Sequence, residues 1–214
     1  MTQLTYFYQD EIMGAAGIDA VTIFTALFIA QLVFTLWNMV NDPLLGFLTD
    51  RPLKWTKKWG MRVPWILICS GPMLIFYILL WTPPAENVVL IVLYFILITC
   101  CFDSFFSIYN DHVYAGFTNQ FPTEFERRRG FAIMTIIMGL CLVFMQILLV
   151  NIQQPGTGNP GSFLTAAIIM CIFLIVFNIF LFLGIKESPE MKEMFIRGFE
   201  ETGKMGFFQV LKIS

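Results

Sequence analysis

The sequence predicts an all-α membrane protein, on the evidence of its composition, its long apolar runs and the placement of its basic residues. Hydrophobic residues make up 57% of the 214 and charged residues only 13%, whereas a soluble domain carries roughly a quarter charged residues. A membrane-spanning helix needs about 20 consecutive apolar residues. Five runs of at least that length, bounded by polar or Pro/Gly-rich breaks, cover residues 17–49, 63–82, 87–117, 130–150 and 163–185. We therefore predict five transmembrane helices.

The basic residues predict how these helices are oriented. All thirteen Lys and Arg residues fall within residues 51–62, 127–129 and 186–212, and these segments share one side of the membrane if the spans alternate. The positive-inside rule assigns that side to the cytoplasm. We therefore expect a multi-pass protein of the plasma membrane, with residues 1–16 as an extracellular N-terminal segment, 17–185 as the bundle and 186–214 as a cytoplasmic tail.

Within that tail, the apolar spacing fits an amphipathic helix lying on the inner surface, and a plain linker is the alternative. The apolar residues concerned are Met191, Met194, Phe195, Phe207, Phe208, Val210 and Leu211.

Several functional classes are excluded. The net charge of -2 argues against a nucleic-acid partner. The five cysteines lie in apolar runs without CxxC spacing or neighbouring metal ligands, so they are expected to be small buried hydrophobic residues. No hydrolytic or redox constellation occurs, so we expect neither an enzyme nor a cofactor other than a coupling ion, H⁺ or Na⁺.

The first predicted span carries a polar face. Asn38, Asn41 and Asp42 stand at i, i+3 and i+4 and therefore share one side of a helix. An ionisable group in the hydrocarbon core costs several kcal/mol, about 3 on insertion scales, unless it faces protein, water or an ion. A carboxylate with two amide oxygens predicts a cation-binding surface, for a proton or for Na⁺ at Asp42. The alternative is a cluster of structural hydrogen bonds between helices.

A second polar face lies on the third span, where Asp103, Ser107, Asn110 and Asp111 stand at i, i+4, i+7 and i+8. The two faces could meet across a cavity, which would make Asp103, Ser107 and Asp111 candidates for solute binding. Structural hydrogen bonding is the alternative here as well.

The cytoplasmic end of the first span carries a third candidate. Gly46, Asp50 and Arg51 form G-x-x-x-D-R, in which the glycine would allow close helix packing and the carboxylate would pair an arginine or cap a helix. This predicts a conformational latch, and a solvated charge pair of little energetic weight is the alternative.

These segments together resemble the glycoside-pentoside-hexuronide:cation symporters, the melibiose-permease-like branch of the major facilitator superfamily. The resemblance runs through Trp37 to Asp42, Pro43 to Gly46 and Asp50-Arg51, and through two further stretches. Those are Trp59-Gly60 and Arg62-Val63-Pro64-Trp65-Ile66-Leu67. It continues more weakly through Asp111 to Glu126-Arg127.

The resemblance implies roles for the site residues, and the chain departs from the family pattern at three positions. It implies that Asn38, Asn41 and Asp42 bind the coupling cation and that Asp111 contacts sugar hydroxyls, with Tyr114 beside the family's aromatic platform position.

Asn38 stands where the family has an Asp, which removes one formal charge from a Na⁺ site. Ala115 replaces the aromatic platform and Thr135 stands about where a sugar-binding Arg is expected, which argues against sugar as the solute.

The resemblance also implies that the chain is incomplete as a transporter. Family members have twelve helices, and the five spans here match helices II to VI, with most of helix I lacking; the tail Phe207 to Lys212 resembles the segment leading into helix VII. We therefore expect half of a cation-coupled secondary transporter for a small polar solute, working with a second copy or a separate C-terminal half. A non-transporting membrane subunit and an amphipathic lipid carrier are the alternatives.

Overall fold

The computed structural model describes residues 2–51, 54–84, 87–121, 123–153, 155–156, 159–185 and 187–202. Helix α1, Thr2–Tyr6, continues as a π-helix, Phe7–Gly14. The remaining helices are α2 Ala20–Thr49, α3 Thr56–Trp59, α4 Val63–Leu79, α5 Val88–Gln120, α6 Glu124–Ile152, α7 Gly161–Gly184 and α8 Pro189–Thr202.

The expected fold class is confirmed. Helices α2, α5, α6 and α7 are long and apolar enough to cross a membrane, and α4 is an apolar helix of 17 residues. At 1.5 Å per residue α4 spans about 25 Å, slightly less than a typical hydrocarbon core. These five helices are those predicted from the apolar runs, and α2 and α4 continue through Pro43 and Pro72.

Helix α5 is the centre of the packing. It lies against both α2 and α4, while α4 also contacts α7 and α7 contacts α6. Between α5 and α7, Tyr109 donates a hydrogen bond to Asn178 Oδ1 at 2.8 Å. Helices α2 and α6 consequently keep most of their surface outside the core of this chain, as expected for helices facing lipid or another bundle.

The N-terminal segment is packed into the bundle. Phe7, Tyr8 and Met13 are fully buried in a core cluster with Trp81 and Phe163. The Tyr8 hydroxyl donates to the Leu80 carbonyl at 3.0 Å, and the Glu11 carboxylate accepts the Gly156 N–H at 2.7 Å. The segment therefore closes one end of the bundle by aromatic packing and by bonds to two connecting loops.

Replacing Phe163 by alanine is expected to destabilise the chain by about 3–5 kcal/mol, because it removes a buried aromatic ring from the cluster. Phe163 is 2% exposed, and its ring centroid lies 5.1 Å from that of Phe7 and 5.8 Å from that of Trp81. Thermal unfolding in detergent measures the effect. Phe180→Ala is the matched control, since Phe180 lies on the same helix at 66% exposure; equal losses in the two variants would contradict the assignment.

Local capping fixes where the long helices begin. The Asp19 carboxylate accepts the Thr22 N–H at 2.9 Å at the start of α2, and this hydrogen bond lowers the pKa of Asp19. Asn87 Oδ1 accepts the Val89 N–H at 2.7 Å at the start of α5. Thr123 and Glu126 form a reciprocal capping box at the start of α6. Each cap satisfies backbone donors that the first turn leaves unpaired.

Helix α8 lies in the tail and includes the Met and Phe residues whose spacing fits a helix. The stretch Phe207 to Lys212, which resembles the segment leading into a seventh helix, lies outside the described residues.

Candidate functional site

The polar faces of α2 and α5 meet directly. Asn38 Nδ2 lies 3.3 Å from each carboxylate oxygen of Asp103, and Asn41 Nδ2 donates to Asp103 Oδ2 at 3.4 Å. Asn41 is 4% exposed, so this contact lies inside the α2–α5 interface. Two amides of one helix therefore hold a carboxylate of the other.

Two serines extend the contact. Ser104 Oγ donates to Asn41 Oδ1 at 3.2 Å, and Ser107 Oγ donates to Asp42 Oδ1 at 3.0 Å. Asp42 and Asp103 are within electrostatic reach of each other. We name Asn38, Asn41, Asp42, Asp103, Ser104 and Ser107 the α2–α5 polar cluster. Neither α2 nor α5 contains a Lys or Arg, so its two carboxylates have no basic partner on these helices.

The structure thus divides the predicted site residues differently from the sequence. Asp103 and Ser107 were grouped with Asp111 as solute ligands, but they hydrogen-bond the predicted cation-binding residues. Asp111 lies two turns further along α5, and Tyr114 almost one turn beyond it. Neither makes a side-chain hydrogen bond to another described residue, and Asp111 is exposed on this chain.

Asp42 and Asp111 lie near each other on a face of α2 and α5 that no other described part of the chain covers. The side chains of Asp42 and Asp111 are exposed, and Met39, which lies one turn before Asp42 on the same side of α2, is 69% exposed. A carboxylate facing acyl chains is costly. The geometry therefore requires protein or water against this face of α2 and α5.

At the C-terminal end of α2, about two turns beyond Asp42, Asp50 of the predicted latch pairs with an arginine of another segment. Asp50 accepts a hydrogen bond from Arg62 Nη1 at 2.8 Å, whereas the Arg51 guanidinium lies over the Phe47 ring, 4.3 Å from its centroid. A Cβ added at Gly46 would meet no atom within 4 Å. Gly46 therefore makes no close helix contact within the described part of the chain, and the arginine that pairs Asp50 is Arg62.

Arg62 also connects α4 to α5. Its Nη1 lies 3.2 Å from His112 Nδ1, and because arginine only donates, that ring nitrogen must be unprotonated. The His112 ring is 1% exposed and stacks on Trp65, with ring centroids 6.0 Å apart. His112 and Asp111, adjacent in sequence, thus point to a buried and an exposed environment respectively, as their 100° separation on a helix requires.

A backbone anion site joins α8 to the α3–α4 turn. The Glu187 carboxylate accepts the N–H groups of Met61 and Arg62, each at 2.8 Å. Gly60 has φ +88°, and a Cβ there would lie 2.5 Å from the Glu187 carboxylate. Consecutive backbone N–H groups of this kind form a concave site for anions, which here is filled by the chain's own glutamate.

Sequence reasoning missed Ser104, Arg62 and Glu187 as members of these networks. Ser104 could have been found, since it lies on the same helix as Asp103 and Ser107 and its hydroxyl is an interhelical donor. Arg62 belongs to the recognised motif, but nothing in its spacing indicates Asp50 or His112 as a partner. No local signal places Glu187, 125 residues from Arg62, against a turn.

The five-helix bundle and its membrane-embedded carboxylates define a multi-pass membrane protein of the transporter class. The family described as MFS/sugar transport protein matches residues 1–213, so the chain belongs to this family of the major facilitator superfamily. The family consists of transporters and not of enzymes, as expected.

Curated relatives agree with this assignment. The chain is 26% identical over 237 residues to the sodium-dependent lysophosphatidylcholine symporter 1-B of Danio rerio, covering 95% of the chain and 42% of that protein. It is 29% identical over 217 residues to the sphingosine-1-phosphate transporter MFSD2B of Xenopus tropicalis, covering 83% and 41%. An uncharacterized symporter, sll1374 of Synechocystis sp., is 33% identical over 81 residues, 38% of the chain and 13% of its own length. No solved structure matches. The chain thus spans about two fifths of the length of the first two of these relatives.

Proposed function

We propose that the chain is the N-terminal half of a cation-coupled secondary transporter of the melibiose-permease-like branch, in which the α2–α5 polar cluster binds the coupling ion. The observation that carries the proposal is the pair of carboxylates, Asp42 and Asp103, held by amides and hydroxyls within an otherwise apolar bundle. Such groups are retained in membranes where an ion or proton uses them.

The charge of the cluster supports cation binding. Asn38 lacks the carboxylate that the symporter motif has at this position, but Asp103 places one beside Asn38 from the opposite helix. Two carboxylates and nearby amide and hydroxyl oxygens are a hard-oxygen set suited to Na⁺, and a shared proton is the alternative occupant. Asp103 accordingly moves in this proposal from solute binding to ion binding.

The uncovered face of α2 and α5 supports the proposal that a second helical bundle packs against this one. Transporter sites of this superfamily lie near the membrane midplane between two bundles that rock against each other. Asp111 and Tyr114 are on α5, and Asp42 is on the α2 side of the same uncovered surface. We propose that a second bundle, from another copy or another chain, covers it, and that Asp111 contacts the solute there.

For the solute we favour an amphipathic lipid bearing a polar headgroup. The relatives that share most of this chain are named for lysophosphatidylcholine and for sphingosine-1-phosphate, while Ala115 and Thr135 replace the family's sugar-binding positions. A sugar is the second candidate, supported by the description of the matching family.

Replacing Asp42 by asparagine is expected to reduce ion-gradient-driven uptake at least about tenfold, because the cluster loses one of the two charges that attract the ion. The measurement is uptake of labelled lysophosphatidylcholine and, separately, of labelled melibiose into proteoliposomes under an imposed Na⁺ or H⁺ gradient. The chain is reconstituted alone and with the bundle that crosslinking identifies as its partner.

Asp10→Asn is the control, since Asp10 is exposed on the N-terminal π-helix outside the polar cluster. Gradient-driven uptake that survives Asp42→Asn would refute the coupling site. A strictly monomeric chain without uptake under either gradient would favour a non-transporting membrane subunit.

A further inference from the structure

Helix α8 and the short helix α3 enclose a basic cleft that the proposed transport does not use. The cleft has a volume of about 570 Å³ and is lined by Lys57, Pro189, Lys192, Glu193, Ile196 and Arg197. Three of these side chains are cationic and one is anionic, so the cleft is positively charged. Its volume is within the range of sites that hold small ligands.

The cleft is held open by fixed contacts. Glu187, two residues before α8, is anchored by the Met61 and Arg62 N–H groups. Further along α8, Lys192 Nζ donates to the Lys58 carbonyl at 3.0 Å. The Arg62 guanidinium lies over the Phe195 ring, 5.7 Å from the ring centroid. These contacts fix the position of α8 relative to α3.

The cations of the cleft retain donors for a ligand. Lys192 uses one of its three N–H bonds for the Lys58 carbonyl, which leaves two. Lys57 is exposed and has no ion pair among the described residues. Arg197 is 3.5 Å from Glu193 in a pair whose side chains are 76% and 70% exposed; such a pair contributes little energy and can be exchanged for a stronger anion.

The surrounding residues place the cleft at the level of the lipid headgroups. Trp55 precedes α3 and Trp59 is its last residue, and they are 49% and 53% exposed. Exposed tryptophans of this kind concentrate at membrane interfaces. Met194 on α8 is 62% exposed beside the cleft, which suits the apolar side of a helix lying in the interface. The cleft also opens at the end of the bundle where the described basic residues lie, within 51–62, 127–129 and 192–197.

We propose that this cleft binds the headgroup phosphate of an anionic phospholipid from the adjoining leaflet, with Lys57, Lys192 and Arg197 as its ligands. Basic sites at this membrane level are suited to such headgroups, and each Lys or Arg near an anionic surface adds to the attraction. The proposal is independent of the transported solute, since the cleft lies on the α3–α8 side and shares no residue with the α2–α5 polar cluster.

The test compares two double variants of the full chain in nanodiscs, each removing two positive charges. Lys57→Gln/Lys192→Gln alters the cleft, whereas Arg128→Gln/Arg129→Gln alters the start of α6 at the same end of the bundle. Binding of a fluorescent phosphatidylserine is titrated in phosphatidylcholine discs. We expect about tenfold or greater weakening for the first variant, less than about twofold for the second, and retained binding in Lys57→Arg/Lys192→Arg.

Equal weakening in both glutamine variants would overturn the proposal, because it would show attraction to charge without a defined site. Competition by millimolar inorganic phosphate as effective as competition by the lipid would overturn the assignment to a lipid and indicate a soluble anion. Circular dichroism of each variant separates loss of binding from loss of the fold, and the arginine variant maintains the test if the glutamine variant unfolds.

Discussion

Replacing Asp103 by asparagine is expected to weaken Na⁺ binding about 100-fold or more. A unit charge about 4 Å from a cation contributes about 4 kcal/mol at an effective dielectric constant of 20, equivalent to roughly a thousandfold in affinity, and partial rearrangement reduces this figure. The substitution preserves the shape of the side chain and leaves an oxygen to accept from Asn38 or Asn41. Calorimetric titration of the reconstituted protein with Na⁺ measures the change.

Asp111→Asn is the matched control, because it removes the same charge from the same helix two turns away from the α2–α5 polar cluster. Ion affinity should change less than about threefold in this variant, while uptake of the solute should fall. If Asp103→Asn instead binds Na⁺ normally and only unfolds at lower temperature, the cluster is interhelical hydrogen bonding and not an ion site. Interhelical hydrogen bonds in membranes contribute on average about 0.6 kcal/mol, so the two outcomes differ clearly in magnitude.

Replacing Gly60 by alanine is expected to cost about 3 kcal/mol and to release α8. The backbone at Gly60 has φ +88°, a conformation that costs an L-residue about 1–3 kcal/mol. The new Cβ would also displace the Glu187 carboxylate from two N–H donors, and bonds to charged groups contribute about 1.5–3 kcal/mol each before exposure reduces them. Thermal unfolding gives the stability change, and the rate of tryptic cleavage at Lys192 and Arg197 reports release of α8.

Gly71→Ala is the control, since its Cβ would meet no atom within 4 Å inside α4 and helix propensity favours alanine by up to about 1 kcal/mol. A double-mutant cycle that combines Gly60→Ala with Glu187→Ala separates backbone strain at residue 60 from loss of the Glu187 hydrogen bonds. If Gly60→Ala costs as much without the Glu187 side chain as with it, backbone strain alone is responsible and the anion site contributes nothing.

The bundle follows from the sequence because each span is determined locally. About 20 apolar residues must satisfy their backbone groups within one helix in a bilayer, so the run length alone identifies the helix. The starts of the helices were also encoded nearby, in Asp19, Asn87 and Thr123. The largest departure is α6, which begins at Glu124, six residues before its apolar run of 130–150, and α4 has 17 residues against a run of 20.

The membership of the candidate site was only partly predictable. Helical spacing places Asn38, Asn41 and Asp42 on one face, and it places Asp103, Ser107 and Asp111 on another. Spacing within a helix does not determine the relative height of two helices, so it could not show that Asp103 is opposite Asn38 while Asp111 is not. The grouping of Asp103 and Asp111 therefore depended on an alignment of α2 with α5 that the sequence does not contain.

The sequence by itself determined a helical membrane protein of the major facilitator superfamily, with carboxylates in its spans and basic residues at one end. Tertiary structure decided which charged groups meet: Asp103 with the α2 amides, Asp50 with Arg62 instead of Arg51, and Glu187 with a turn 125 residues away. The physical reason is the distance along the chain over which each kind of interaction is determined. Hydropathy and helical periodicity act over one to five turns, whereas these contacts depend on how whole helices rotate and slide against one another, which no local pattern records.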